Sequence, residues 1–84
     1  MTDADDSILE LLADSGLALN KKTIHVNFDI EGISTSYSTV KRRLAKLEQA
    51  DLIELVREKG RYYRISKLGE AYLNGDHQPT NLDH

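Results

Sequence analysis

The chain has no cysteine, no tryptophan, one phenylalanine and one proline. Without cysteine there is no disulfide staple and no thiolate-ligated zinc, and nothing points to an oxidising compartment. No apolar run approaches the roughly 18 residues that a membrane-spanning helix needs. The acidic N-terminus carries no signal-peptide pattern. The three histidines, His25, His77 and His84, lack metal-ligand spacing. The carboxylates sit at termini and turns instead of converging as a pair, and no Ser-His-Asp arrangement can be pointed to. A non-enzymatic, cytoplasmic protein is therefore expected, with no metal, no cofactor, no membrane contact and no small-molecule ligand.

Eighty-four residues make one small domain at most. A core of that size is marginal and often leans on a partner chain. The formal net charge of −3 speaks against a polyanion partner, but its distribution speaks for one. Residues 1–20 carry five acids and no base. Residues 21–47 carry six bases (Lys21, Lys22, Lys41, Arg42, Arg43, Lys46) against two acids. Residues 57–67 carry five (Arg57, Lys59, Arg61, Arg64, Lys67) against one. Two basic blocks in an acidic protein suggest one side that faces a polyanion. An ordinary surface of cations paired with nearby acids gives the same counts.

The apolar spacing gives the element order. Ser7 with Glu10 three residues on fits a capping box, ahead of Ile8, Leu11 and Leu12, and Gly16 is a natural stop. A helix is thus expected from Ser7, after a disordered N-terminus 1–6. Asn20 suits the cap of a second helix, 21–28, with Ile24 and Phe28 on one face. The segment 29–32 reads as a turn, with Gly32 free to take positive φ and Ile33 plugging it into the core. A third helix, 35–49, puts Val40, Leu44 and Leu47 on one side and Ser38, Thr39, Arg42, Ala45, Lys46 and Gln49 on the other, at about 100° per residue. Lys41 and Arg43 lie at its two borders.

Residues 52–56 and 61–65 are β-rich and are joined by a short loop with a late glycine, which makes a hairpin. If Ile65 faces inward, Tyr63 shares its side, while Tyr62 and Arg64 point away. Arg64 can pair with Glu54 across the hairpin. Ser66 then caps a last short helix with Leu68, Tyr72 and Leu73 on its apolar side. The domain spans 7–74, and 75–84 reads as a disordered tail. The fold class is mainly α with a small β-hairpin (α+β). Two helices joined by a turn, then a basic hairpin, is the plan of a winged helix-turn-helix.

Two runs carry a family resemblance. Ile33 to Glu54 reads ISTSYSTVKRRLAKLEQADLIE, and Gly60 to Leu73 reads GRYYRISKLGEAYL. Together they resemble the small winged-helix repressors of haloarchaea and their viruses, the phage phiH repressor-like family. The broader winged-helix pattern is met by Ser38-Thr39-Val40, Arg42, Leu44, Leu47-Glu48, Leu52-Ile53 and Ile65-Ser66 with Gly69. The chain departs from that pattern at Asp51, where the helix-ending motif has glycine. The acidic bias and the lack of cysteine and tryptophan are compatible with a high-salt cytoplasm.

The resemblance implies a sequence-specific, double-stranded DNA-binding transcriptional regulator, a repressor, of archaeal or viral origin. In this architecture helix 35–49 enters the major groove by its N-terminal half. Ser36, Ser38 and Thr39 are then candidates for positioning contacts, although the same hydroxyls suit a helix cap. Arg42 is the candidate base reader, because a guanidinium can bond guanine O6 and N7 together. Arg43 and Lys46 are expected on phosphates, and Tyr37 either closes the core or reaches one. The wing 57–61 is expected on the flanking backbone or minor groove through Arg57, Lys59 and Arg61. Lys21 and Lys22 are placed at a flanking phosphate, and Lys41 is left to solvent. Half-site recognition by one small domain is weak, so a homodimer on a pseudo-palindrome is expected, with Tyr72 and Leu73 at its interface. Two alternatives remain open: a protein-protein module working through the acidic N-terminal helix, and a protein that coats DNA without sequence preference.

Overall fold

A computed structural model describes residues 3–75. Four helices and one hairpin follow in the order α1 (Asp3–Ser15), α2 (Lys21–Glu31), α3 (Tyr37–Gln49), β1 (Ile53–Arg57), β2 (Tyr62–Ile65) and α4 (Lys67–Leu73). This is the mainly helical, winged arrangement expected from the element order.

Helix α1 starts earlier than its local signals indicate. Residues 3–6, expected to be disordered, form its first turn, and Ser7 lies inside the helix instead of capping it. Asp3, Asp5 and Asp6 in that turn suit the positive end of the helix dipole. Two of them are also tied to other helices. Asp5 accepts hydrogen bonds from Arg43 on α3, and Asp6 accepts one of 3.1 Å from the Tyr72 hydroxyl on α4. Contacts that distant in sequence are invisible to a capping rule. Ile8, Leu9 and Leu12 are fully buried.

Between α1 and α2 a single residue extends the sheet. The Leu19 amide donates to the Tyr63 carbonyl, and the Tyr63 amide donates back to Leu19, both at 2.8 Å. This one-residue bridge ties the α1–α2 link to β2. No run of β-formers marks it in the sequence.

Helix α2 begins as its cap dictates. The Asn20 side chain accepts from the Thr23 amide at 2.9 Å. The helix runs three residues beyond its expected end at 28. Gly32, at φ 77°, makes the left-handed residue of its C-terminal motif, and the Ile33 amide reaches back to the Phe28 carbonyl at 2.8 Å. Ile33 packs against the core, as expected. Helix α3 ends in the same geometry without a glycine. Asp51 takes φ 62°, its amide bonds the Glu48 carbonyl, and the Leu52 amide bonds the Leu47 carbonyl, each at 3.0 Å. The family-pattern glycine is thus replaced by an aspartate that adopts the glycine conformation.

In the hairpin Ile53 faces Ile65, Glu54 faces Arg64, and Leu55 faces Tyr63. The register then slips, leaving Val56 unpaired as a bulge before Arg57 meets Tyr62. Tyr63 and Ile65 are buried and Arg64 is exposed, the facing read from the alternation. Ser66 joins the hairpin to its surroundings. Its hydroxyl donates to the Asp51 carbonyl at 2.6 Å and accepts from the Gly69 amide at 3.0 Å, capping α4. Gly69 has no room for a side chain: a Cβ there would collide with the Leu52 carbonyl and lie 2.7 Å from Ile65 Cγ1. The Ser-x-x-Gly of the sequence is therefore a cap followed by a close approach of α4 to the β1 entry.

Candidate nucleic-acid interface

Helix α3 has three buried residues, Val40, Leu44 and Leu47, which fix its rotation. That rotation turns Ser38, Arg42, Ala45, Lys46 and Gln49 to solvent. Among the described residues Arg42 and Lys46 enter no ion pair. Tyr37, in the first turn of α3, is 41% exposed and meets His25 edge-on at 5.8 Å between ring centroids.

The hydroxyl cluster divides by role. Ser36 is the N-cap: its oxygen accepts from the Thr39 amide at 3.1 Å, and its hydroxyl donates to Thr39 Oγ1 at 2.9 Å. Those bonds engage both side chains in holding the first turn. Ser38 stands outside that pair and is exposed.

The three adjacent cations of α3 have three different surroundings. Arg43, expected on a phosphate, is built into the fold instead. Its Nε and Nη2 donate to Asp5 Oδ1 and Oδ2, both at 2.7 Å, with the Asp5 side chain 1% exposed. A buried carboxylate needs such a two-pronged partner, and this one is supplied from the border of α3 that faces α1. The Asp5 hydrogen bonds raise the Arg43 pKa further, so the guanidinium stays charged. Arg42 looks outward. Lys41 looks toward the wing.

The wing cations differ as well. The Arg57 guanidinium lies 5.8 Å from the centroid of the Tyr62 ring, and Lys59 is exposed at the tip. Arg61 closes the turn at the wing tip, just ahead of β2, where the chain takes φ 83° at Gly60 and φ 52° at Arg61. Its Nε donates to the Tyr63 hydroxyl at 3.1 Å, and its guanidinium covers the Tyr63 ring at 5.7 Å. The hydrogen bond with Tyr63 is the main cause that raises its pKa. Glu48 lies 3.6 Å from Nη2.

Folding brings part of this set together. Lys21, Lys41 and Arg61 line one cleft of about 430 Å³ between the start of α2, α3 and β2, walled by Leu44, Ala45 and Tyr63. Lys22 is exposed beside it on α2. Lys41 was not among the residues picked out from the sequence. Its signal there is only a place on the wing-facing border of α3, and that border has no meaning until the wing is folded back. A second groove, of about 290 Å³ between α1 and α2, has Glu10, Asp14 and Glu31 on its rim and Leu11, Phe28 and Ile33 among its lining. Tyr72 and Leu73, expected at a dimer surface, are half-buried and pack against the core. Among the described residues, no helix is long and apolar enough to cross a membrane.

One family model, described as winged helix-turn-helix phage repressor, matches residues 1–84. No curated protein and no solved structure matches the chain significantly.

Proposed function

The chain belongs to the winged helix-turn-helix phage repressor family, and from that premise we propose that it is a sequence-specific repressor of transcription whose α3 reads the major groove of double-stranded DNA. The observation that carries this reading is the outward face of α3, where Arg42 stands exposed and without an ionic partner between Ser38 and Lys46. A guanidinium so placed can bond guanine O6 and N7 at once. Ser38 and Lys46 hold phosphates on either side of it, and Tyr37 offers a hydroxyl to the same strand. Ser36 and Thr39 serve indirectly by fixing the first turn, whose free amides favour a phosphate. Arg57 and Lys59 on the wing, with Lys22 on α2, hold the flanking backbone or the adjacent minor groove. Arg43 is left out because Asp5 occupies it.

Two copies bind a pseudo-palindrome, since one small domain covers only a half-site. Acting on DNA, the protein works inside the cell that houses its operator. In high salt, counterion release adds little, and base contacts and burial dominate the affinity.

The test is fluorescence anisotropy against DNA from the gene's own upstream region and against a scrambled duplex, over a salt series. A preference of about a thousandfold or more for the native sequence supports a specific regulator. Equal, salt-sensitive binding to both duplexes makes it a coating protein. No binding at any salt moves the function to the acid-rimmed groove between α1 and α2 and to a protein partner.

A further inference from the structure

The cleft between α2, α3 and the wing gathers three cations from three separate elements. Lys21 comes from the first turn of α2, Lys41 from the border of α3, and Arg61 from the wing turn just ahead of β2. No acid lines the cleft. The nearest one known to touch the set, Glu48, lies 3.6 Å from a single Arg61 nitrogen. Lys21 and Lys41 enter no ion pair among the described residues. Like charges held together in this way repel until an anion arrives.

We propose that this cleft seats one backbone phosphate of double-stranded DNA, with Lys21, Lys41 and Arg61 as its donors. The assignment rests on the DNA-binding reading above; it adds Lys41 to that reading and joins it with Lys21 and Arg61 on a single phosphate. The walls favour a phosphodiester over a free ion. Leu44, Ala45 and Tyr63 offer apolar surface that suits the carbons of a deoxyribose, and about 430 Å³ is far more room than a lone phosphate group fills. Arg61 is also set in place before any ligand binds. Its backbone is fixed by the Arg61 amide bonding the Glu58 carbonyl at 3.0 Å, and its side chain is held on the Tyr63 ring and hydroxyl. A donor already ordered loses less freedom on binding. Tyr63 is in turn pinned to Leu19 through both backbone bonds, just ahead of Lys21. One phosphate in this cleft would therefore fix the wing relative to α3, and so the register in which Arg42 meets the bases.

The experiment is the same anisotropy salt series on Lys41→Ala, with Lys67→Ala, on the separate α4, as the control. A thermal melt accompanies each variant, and the exposed Lys41 is expected to be replaced without loss of folding. Lys41→Ala should weaken native and scrambled duplexes alike, by about tenfold at moderate salt, and lower the salt slope by about one. The native-over-scrambled ratio should hold. A duplex carrying one neutral methylphosphonate at the contacted position should lose the same affinity with wild type and show no further loss with Lys41→Ala. Affinity and slope equal to wild type would remove the clamp while leaving the DNA reading intact. Loss confined to the native duplex would make Lys41 a base reader instead. No DNA binding by wild type would sink the parent reading, and the clamp with it. Inorganic phosphate, titrated alone against the amide resonances of Lys41 and Arg61, should not saturate below millimolar concentration. Tight saturation would make the cleft a small-anion site and overturn the backbone assignment.

Discussion

The α1–α4 side and the α3–wing side of this protein use charge in opposite ways. On the first side, charges are answered within the chain: Asp5 by Arg43 and Asp6 by the Tyr72 hydroxyl. On the second, Arg42, Lys46, Lys21 and Lys41 have no ionic partner among the described residues. The contrast is sharpest between neighbours. Arg42 and Arg43 are about 100° apart on one helix, and that rotation turns one to solvent and the other to a buried carboxylate. A paired cation supports the fold, whereas an unpaired one is available to a ligand, so composition cannot rank the two.

The largest effect is expected at Asp5. Asp5→Ala leaves Arg43 without its counter-charge and opens a gap at α1, and Tm should fall by about 15 °C in a calorimetric melt. If Tm is unchanged, the ion pair is not structural and Arg43 returns to the candidate DNA contacts. Arg42→Ala is the complement. Its melt should match wild type, while affinity for the native duplex drops by about 1–3 kcal/mol with relaxed preference at one base position. Equal losses on native and random DNA would remove Arg42 from base reading.

Asp51→Gly touches neither side's charges and probes the joint between them. Glycine takes the left-handed conformation without steric cost, so stability should rise by about 1 kcal/mol in urea denaturation. A decrease would mean that the Asp51 side chain holds the turn in a way its backbone does not reveal.

The smallest effect belongs to Tyr72. Its hydrogen bond to the Asp6 carboxylate, with burial and the nearby Asp5 charge, raises its pKa above the ordinary value. The folded state therefore favours the neutral phenol. That contribution is complete below the unfolded value of about 10 and is lost as pH rises through the higher folded value. Denaturant midpoints should decline above about pH 10, and Tyr72→Phe should decline less steeply there. Identical slopes would show that the Asp6 bond does not form in solution.

Much of the frame was legible in the residues. Asn20 and Ser66 each cap the helix they precede, as expected, because a cap is a bond between a side chain and an amide three residues on. Ser36, placed inside helix 35–49 with capping only an alternative, does the same for α3. The burial of Val40, Leu44 and Leu47, and the inward facing of Tyr63 and Ile65, follow from periods of about 3.6 and 2. Three things were not legible. Helix α1 begins at Asp3, Leu19 forms a bridge with Tyr63, and the three cations of α3 separate into a partner of buried Asp5, an outward-facing arginine and a cleft-lining lysine. Asp5 lies 38 residues from Arg43, and Tyr72 lies 66 from Asp6.

Local residue patterns decided which segments become helix or hairpin and the inward faces of α3 and β2, since those properties are settled over a few neighbouring residues. Leu68, expected on the apolar side of the last helix, is instead 48% exposed, because α4 packs close through Gly69. Which cations are paired and which meet in one cleft depended on the packing of the elements. Charges act on whatever the fold brings within a few ångströms of them, and that neighbourhood exists only after α1 has packed on α3 and the wing has folded back beside Lys41.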